Sequence, residues 1–241
     1  MAAMPVSDIA HDQSVVPLEG IHACVFDAYG TLFDVASAAH ACSDQLGGQA
    51  AALGVLWRDK QLQYAWLRSV AQRHVDFWQV TGDALDFALA SLSISTPGLR
   101  DRLLSLYSAL RPFAEVPQVL RDLRQAGLRT AILSNGSPAM LDAAIASAGL
   151  AGMFDAVLSV EAVGVYKPHP AVYQLAVDRL GMPAGEIAFC SSNGWDAWAA
   201  SAFGMQVVWC NRGNACDERL PGAPDRRVHT LAQLPALLGA G

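Results

Sequence analysis

The 241 residues, 53% hydrophobic and only 16% charged, supply enough apolar surface for one α/β core with an insertion and exclude a disordered chain. The net charge of −6 is spread without any basic run, so a positive stripe for a nucleic-acid backbone is missing and no nucleic-acid partner is expected. A membrane-spanning helix needs about 20 apolar residues in a row, whereas the longest uncharged run, Ala197 to Asn211, is shorter and broken by Ser, Gly, Gln and Asn, so a soluble protein is expected.

Residues 1–20 are polar, Pro-containing and aperiodic, and predict an N-terminal tail; with Asp and Glu and no apolar h-region, they are not expected to act as a signal peptide. The apolar run Ile21–Asp27 ends in an acid before Tyr29-Gly30-Thr31, which predicts a buried strand breaking into a loop. Helical spacing then dominates. Leu62, Trp66, Leu67 and Val70 recur three or four residues apart, as do Leu85, Leu89 and Leu92, and Ser95-Thr96-Pro97-Gly98 punctuates the segment before a helix around Leu99–Leu110. A helical cap over residues 34–112, inserted into a core made of 21–33 and 113–241, is the expected domain organisation.

From Phe113 the two periods alternate. Val116–Gln125 predicts a helix stopped by Gly127, and Leu128–Leu133 a strand. Ser137-Pro138 supplies an N-cap and first helical residue for a helix closed by Gly149. A strand (Asp155–Val160), a helix (Ala171–Leu180), a strand (Ile187–Cys190), a helix (Trp195–Phe203), a strand (Met205–Cys210) and a last helix (Leu231–Leu238) follow. Such alternation predicts an α/β, Rossmann-like, mostly parallel sheet with helices on both faces. The five cysteines, Cys24, Cys42, Cys190, Cys210 and Cys216, are odd in number and form no C-x-x-C or zinc-spaced cluster, which suits a reducing cytoplasm.

Ligands of open parallel sheets bind outside the carboxyl ends of the strands. Polar residues follow four of the predicted strands there: Asp27 with Thr31, Ser134 with Asn135, Lys167, and Ser191-Ser192-Asn193 with Asp196. Each alone reads better as a loop residue or a helix cap; together they form a candidate site.

The stretches V-F-D-A-Y-G-T-L-F-D, L-S-N-G-S, V-Y-K-P and S-S-N-G-W-D, in this order, resemble the haloacid dehalogenase superfamily, and more narrowly the L-2-haloacid dehalogenases. The segment W-R-D-K-Q-L-Q-Y-A-W-L-R resembles the cap of that branch. The resemblance runs from about Ile21 to the C-terminus and implies Asp27 as a nucleophile, held with Thr31 and charge-balanced by Lys167. It implies Asp196, supported by Ser191 and Asn193, as the group that activates water. It also implies Arg58 as the cap residue that attracts the anionic substrate and receives the halide; by helical spacing alone Arg58 reads equally as a solvated arginine. Ser134 and Asn135, with backbone amides after Asp27, would cradle the substrate carboxylate, and Ala28, Tyr29, Leu62, Phe77, Tyr173 and Trp195 would line the substrate. A homodimer is implied as well.

Phosphatases of this superfamily carry D-x-D-x-T, in which the second Asp protonates the leaving oxygen. This chain has D-A-Y-G-T, with Tyr29 at that place. A halide leaves as a stable anion and needs no proton. The additional acidic residue that helps magnesium-dependent relatives hold their cation is replaced by Ser191, Ser192 and Asn193, so neither metal nor other cofactor is expected. The expected partners are a small 2-haloalkanoate anion and halide ion, with inversion at C2 and no membrane involvement. A magnesium phosphatase on the same fold and a non-catalytic binding protein are the competing readings.

Overall fold

The run before Asp27 forms strand β1 (Ala23–Phe26), with all four residues buried, in a computed structural model that describes residues 16–240. Five helices follow without an intervening strand: α1 (Ala36–His40), α2 (Ser43–Leu46), α3 (Ala50–Val70), α4 (Phe77–Ser91) and α5 (Leu99–Ser108). Helices and strands then largely alternate through α6 (Val116–Gln125), β2 (Arg129–Ser134), α7 (Pro138–Ser147), β3 (Ala156–Ser159), α8 (Pro170–Leu180) and β4 (Ile187–Ser191). The chain ends with α9 (Gly194–Phe203), β5 (Gln206–Cys210), β6 (Arg226–Val228) and the short α10 (Leu234–Leu237).

The six strands make one sheet in the order β3-β2-β1-β4-β5-β6, and every adjacent pair is parallel. Parallel neighbours need long crossovers, and the helices that supply them bury the sheet, so β1 and β4 read as uninterrupted apolar runs rather than alternating ones. The chain winds outward from β1 to β3, then returns to place β4 on the other side of β1. The ends of β1 and β4 therefore flank the topological switch point, where a crevice opens.

The helical excursion between β1 and α6 is closed at its neck. The Asp34 N–H donates to Arg111 O at 3.0 Å and the Phe113 N–H to Leu32 O at 3.0 Å, with Phe33 bridged to Pro112. Within it α3 is helical as its spacing predicts, but the buried stripe is Leu53, Trp57, Gln61 and Ala65, while Trp66, Leu67 and Val70 face outward, Val70 at 85% exposure. A three-to-four spacing identifies a helix and not which face it buries; here α4 packs against the side carrying Trp57, whose indole N–H donates to Thr81 O at 2.9 Å.

Three expectations are corrected. Residues 1–15 of the predicted tail lie outside the described residues, but within residues 16–20 Leu18 packs on the core: it is buried and its N–H reaches Leu237 O at 2.8 Å. Strand β6 carries two arginines in its three residues and has no apolar run to announce it. The last helix is two pieces, a 3-10 turn over Leu231–Gln233 and then α10 with Pro235 in its first turn.

Candidate active site

Asp27 is the first residue beyond β1, and its N–H still pairs with Cys190 O at 2.9 Å, so its carboxylate is held at the sheet end between β1 and β4. The next residues form a tight turn in which Ala28 O accepts from the N–H groups of Thr31, Leu32 and Phe33, and Gly30 sits at φ 89°, a conformation that favours glycine. That turn returns the Thr31 hydroxyl to Asp27 Oδ2 at 3.1 Å, while the Ser192 N–H donates to the same hydroxyl at 2.8 Å. Arg212 anchors the turn from outside by donating to Thr31 O at 3.0 Å.

Lys167 lies between two carboxylates: its Nζ is 3.2 Å from Asp27 Oδ1 and 2.9 Å from Asp196 Oδ2, and all three side chains are buried. Burial alone would depress the ammonium's pKa, but Asp196 and Asp27 outweigh it and raise the pKa above its ordinary 10.5. Burial pushes the Asp196 carboxyl up from 3.8; Lys167 opposes that rise and the charge of Asp27 adds to it. The remaining Asp196 oxygen accepts from the Tyr173 hydroxyl at 2.7 Å. Tyr173 thus spends its hydroxyl holding Asp196 from behind.

Asn193 joins the Asp27 side of the site to the helical excursion. Its Nδ2 donates to Asp27 Oδ2 at 2.8 Å and its Oδ1 accepts from Arg58 Nη2 at 3.3 Å. Ser191 steadies it, its Oγ accepting the Asn193 N–H at 3.1 Å. Asp27, Asp196, Lys167 and Arg58 together carry no net charge, which makes their partial burial tolerable.

On the other side of β1, Asn135 Oδ1 accepts the Lys167 N–H at 2.9 Å and Ser134 Oγ accepts the Gly136 N–H at 3.1 Å. Gly136 has no room for a side chain: a Cβ there would lie 2.8 Å from the Tyr29 ring. Tyr29 is itself a wall, with ring centroids 5.5 Å from Tyr107, 6.3 Å from Phe77 and 6.4 Å from Phe33. Burial, reinforced by Tyr107 and Asp27, pushes its phenol well above 10, so it stays neutral. Trp195 is half-buried and packs edge-on against Trp66 at 5.4 Å, and Leu62 is half-buried on α3.

The Lys167 ammonium lies between the two carboxylates and supplies the positive charge there. Among the described residues, no group of three or more His, Cys, Asp or Glu side chains is arranged to hold a metal ion. Sequence reasoning missed Arg212 behind Thr31, and Gln61, whose Oε1 accepts from Arg58 Nη1 at 2.7 Å. A glutamine on the buried stripe of α3 is a legible signal only once the phase of that helix is known.

A family model for haloacid dehalogenase-like hydrolases matches residues 21–204. The chain is 42% identical to (S)-2-haloacid dehalogenase 4A of Burkholderia cepacia, over 92% of this chain and 96% of that one. It is 45% identical to the (S)-2-haloacid dehalogenase of Pseudomonas sp. (strain YL), over 89% and 93% of the two chains. In three dimensions it superposes with a TM-score of 0.82 on an L-2-haloacid dehalogenase from Xanthobacter autotrophicus with chloropropionic acid covalently bound, at 40% identity and covering 90% of this chain and 98% of that one.

Proposed function

The chain belongs to the haloacid dehalogenase-like hydrolases, and we propose that it hydrolyses (S)-2-haloalkanoates to (R)-2-hydroxy acids and halide through an ester on Asp27. The observation that carries this reading is the pairing of a triply hydrogen-bonded carboxylate, Asp27, with a second carboxylate, Asp196, across one buried ammonium. No carboxylic proton donor stands at position 29, where the aromatic Tyr29 is packed against Phe33, Phe77 and Tyr107. The relative with covalently bound chloropropionic acid supports an ester intermediate.

In this mechanism the substrate carboxylate rests on Ser134, Asn135 and the backbone amides after Asp27, and its alkyl group lies among Leu62, Phe77, Tyr29 and Trp195. Thr31, Asn193 and Lys167 fix the Asp27 carboxylate so that one oxygen attacks C2 in line with the carbon–halogen bond. The C–O bond forms, the halide leaves with the bonding pair toward Arg58, and C2 inverts. Asp196 then takes a proton from a water that adds to the Asp27 carbonyl carbon. The tetrahedral adduct collapses by breaking the bond between that carbon and the ester oxygen, Asp196 returns its proton to the departing alkoxide, and the acid regenerated at Asp27 loses its proton to solvent. Lys167 stays cationic throughout and supplies the positive charge between the carboxylates, so the reaction is proposed to need no metal. Residues 34–112 act in this reading as a cap that brings Arg58 over the sheet end.

Halide release from (S)- and (R)-2-chloropropionate with EDTA present tests the reading. Release from the S form alone is expected, and a single turnover in heavy-oxygen water should place the label in Asp27 and leave the first product unlabelled. Cleavage of a phosphate ester on adding magnesium, with no halide from either enantiomer, would establish the phosphatase instead. The raised Asp196 pKa adds a pH dependence. Asp196 must be ionised to accept a proton, so hydrolysis of the ester should fall off on the acid side above the ordinary carboxylate value of 3.8. Esterification of Asp27 removes one of the charges that raise it, so this limb should lie lower for the ester than for free enzyme; rapid-quench mass spectrometry of ester decay across pH reads it. Because the Lys167 pKa lies above 10.5, loss of its proton should not limit activity below that pH.

A cytoplasmic setting and a homodimer complete the proposal. All five cysteines are unpaired, and the outward face of α3 and α4 exposes Leu67, Val70, Trp78 and Phe87, apolar area that a second copy would cover; sedimentation velocity distinguishes dimer from monomer.

A further inference from the structure

On the reading that Asp27 displaces a halide from C2 of the substrate toward Arg58, we infer that Gln61 is a positioning residue that fixes the direction of the Arg58 guanidinium while leaving its charge free for the departing anion. Gln61 is buried between α3, α4 and α5, at 1% exposure, and a buried amide must satisfy both of its ends. Its Nε2 donates to Thr81 Oγ1 at 2.7 Å, and its Oε1 accepts from Arg58 Nη1 at 2.7 Å.

Thr81 decides which end of the amide faces which neighbour. A hydroxyl has one proton, and Thr81 gives its own to Phe77 O at 2.7 Å. Toward Gln61 it can therefore only accept, which turns the NH₂ end to Thr81 and leaves the carbonyl end for Arg58. The Tyr107 hydroxyl closes the node, 3.1 Å from Nε2 and 3.4 Å from Oε1, and burial keeps it a neutral phenol. The same Tyr107 ring stacks on Tyr29, so the node reaches the wall of the site.

Arg58 is held by two neutral acceptors, Gln61 Oε1 on Nη1 and Asn193 Oδ1 on Nη2. Among the described residues no carboxylate lies within ion-pair distance of it. Neutral acceptors orient a guanidinium without cancelling its charge, whereas a carboxylate would orient it and cancel it at once. Gln61 therefore serves Arg58 in a way a glutamate would not.

The test is a double-mutant cycle of Gln61→Met and Arg58→Met on the full chain, read as halide release in a single turnover from (S)-2-chloropropionate and (S)-2-bromopropionate. Losing one hydrogen bond to a charged group should slow chloride release by about tenfold to a hundredfold. Bromide, with its more diffuse charge, should slow less, and Gln61→Met should cost nothing further once Arg58 is gone. An equal loss for both halides, or the same loss with Arg58 present and absent, would show that Gln61 only holds the helices together and would overturn the inference. If Gln61→Met does not fold, Thr81→Val, which removes the group that orients the amide without touching Arg58, enters the same cycle under the same criteria. Absence of halide from the wild type would overturn the dehalogenase reading, a different outcome from either.

Discussion

Asp27→Asn is expected to lower halide release by about 10⁴-fold or more, the scale of loss when a covalent nucleophile is removed. The amide is nearly isosteric, so the loss is chemical: a neutral amide oxygen does not displace halide from carbon. The site also predicts what the substitution does to the fold. Lys167, Thr31 and Asn193 all donate to this carboxylate, and an asparagine offers one acceptor oxygen while setting its NH₂ against at least one donor. Lys167 keeps its partner Asp196 at 2.9 Å, so no buried charge is left alone. A moderate loss of about 1–2 kcal/mol should follow, seen as a Tm lowered by no more than about 8 °C. Halide assay and thermal unfolding of the same preparation separate the two effects. A variant that still turned over while folded would place the nucleophile elsewhere.

The positions of Asp27 and Asn193 at the sheet end were legible because each lies within two residues of the end of a strand. Asp196 instead sits in the first turn of α9, and Lys167 eight residues beyond β3, where the V-Y-K-P resemblance rather than a strand end points to it. The parallel order then brings the ends of β1 and β4 together at the switch point. The orientation of α3 was not legible. Trp66, Leu67 and Val70 are spaced as a buried stripe would be, yet the face that packs is Leu53, Trp57, Gln61 and Ala65. The choice between faces is made by α4 and α5, which contribute Thr81 and Tyr107 to the polar node around Gln61, and no local window contains all three. Arg212 is hidden for the same reason: in sequence it follows β5 as one arginine of a polar loop, and only the fold carries it back to Thr31 O. Tyr173, expected among the substrate contacts, also donates its hydroxyl to Asp196, a link that its place on α8 does not announce. A residue that acts through another leaves no motif of its own unless the spacing between the two is fixed.

Lys167→Met should be the most destabilising single change in the site as well as an inactive one. The ammonium is the cation between Asp27 and Asp196, and methionine fills its volume without its charge. Two carboxylates then share a buried site, and a loss of about 3–5 kcal/mol is expected for leaving them uncompensated. The loss should depend on pH in a fixed direction. Without the ammonium that opposes them, burial and the charge of Asp27 hold the folded-state pKa of Asp196 further above its unfolded value. The folded variant then binds more protons than the unfolded chain, so stability present at low pH is lost as pH rises through the raised Asp196 value. The gap in Tm between variant and wild type should therefore widen from about pH 5 to about pH 8. Adding Asp196→Asn should restore part of the stability at the higher pH, because one negative charge leaves the site, yet no activity, because the ammonium beside Asp27 and the base for water are both gone. A gap that stayed constant with pH would mean that the two acids are not coupled through Lys167, and the charge balance assigned to the site would fail with it.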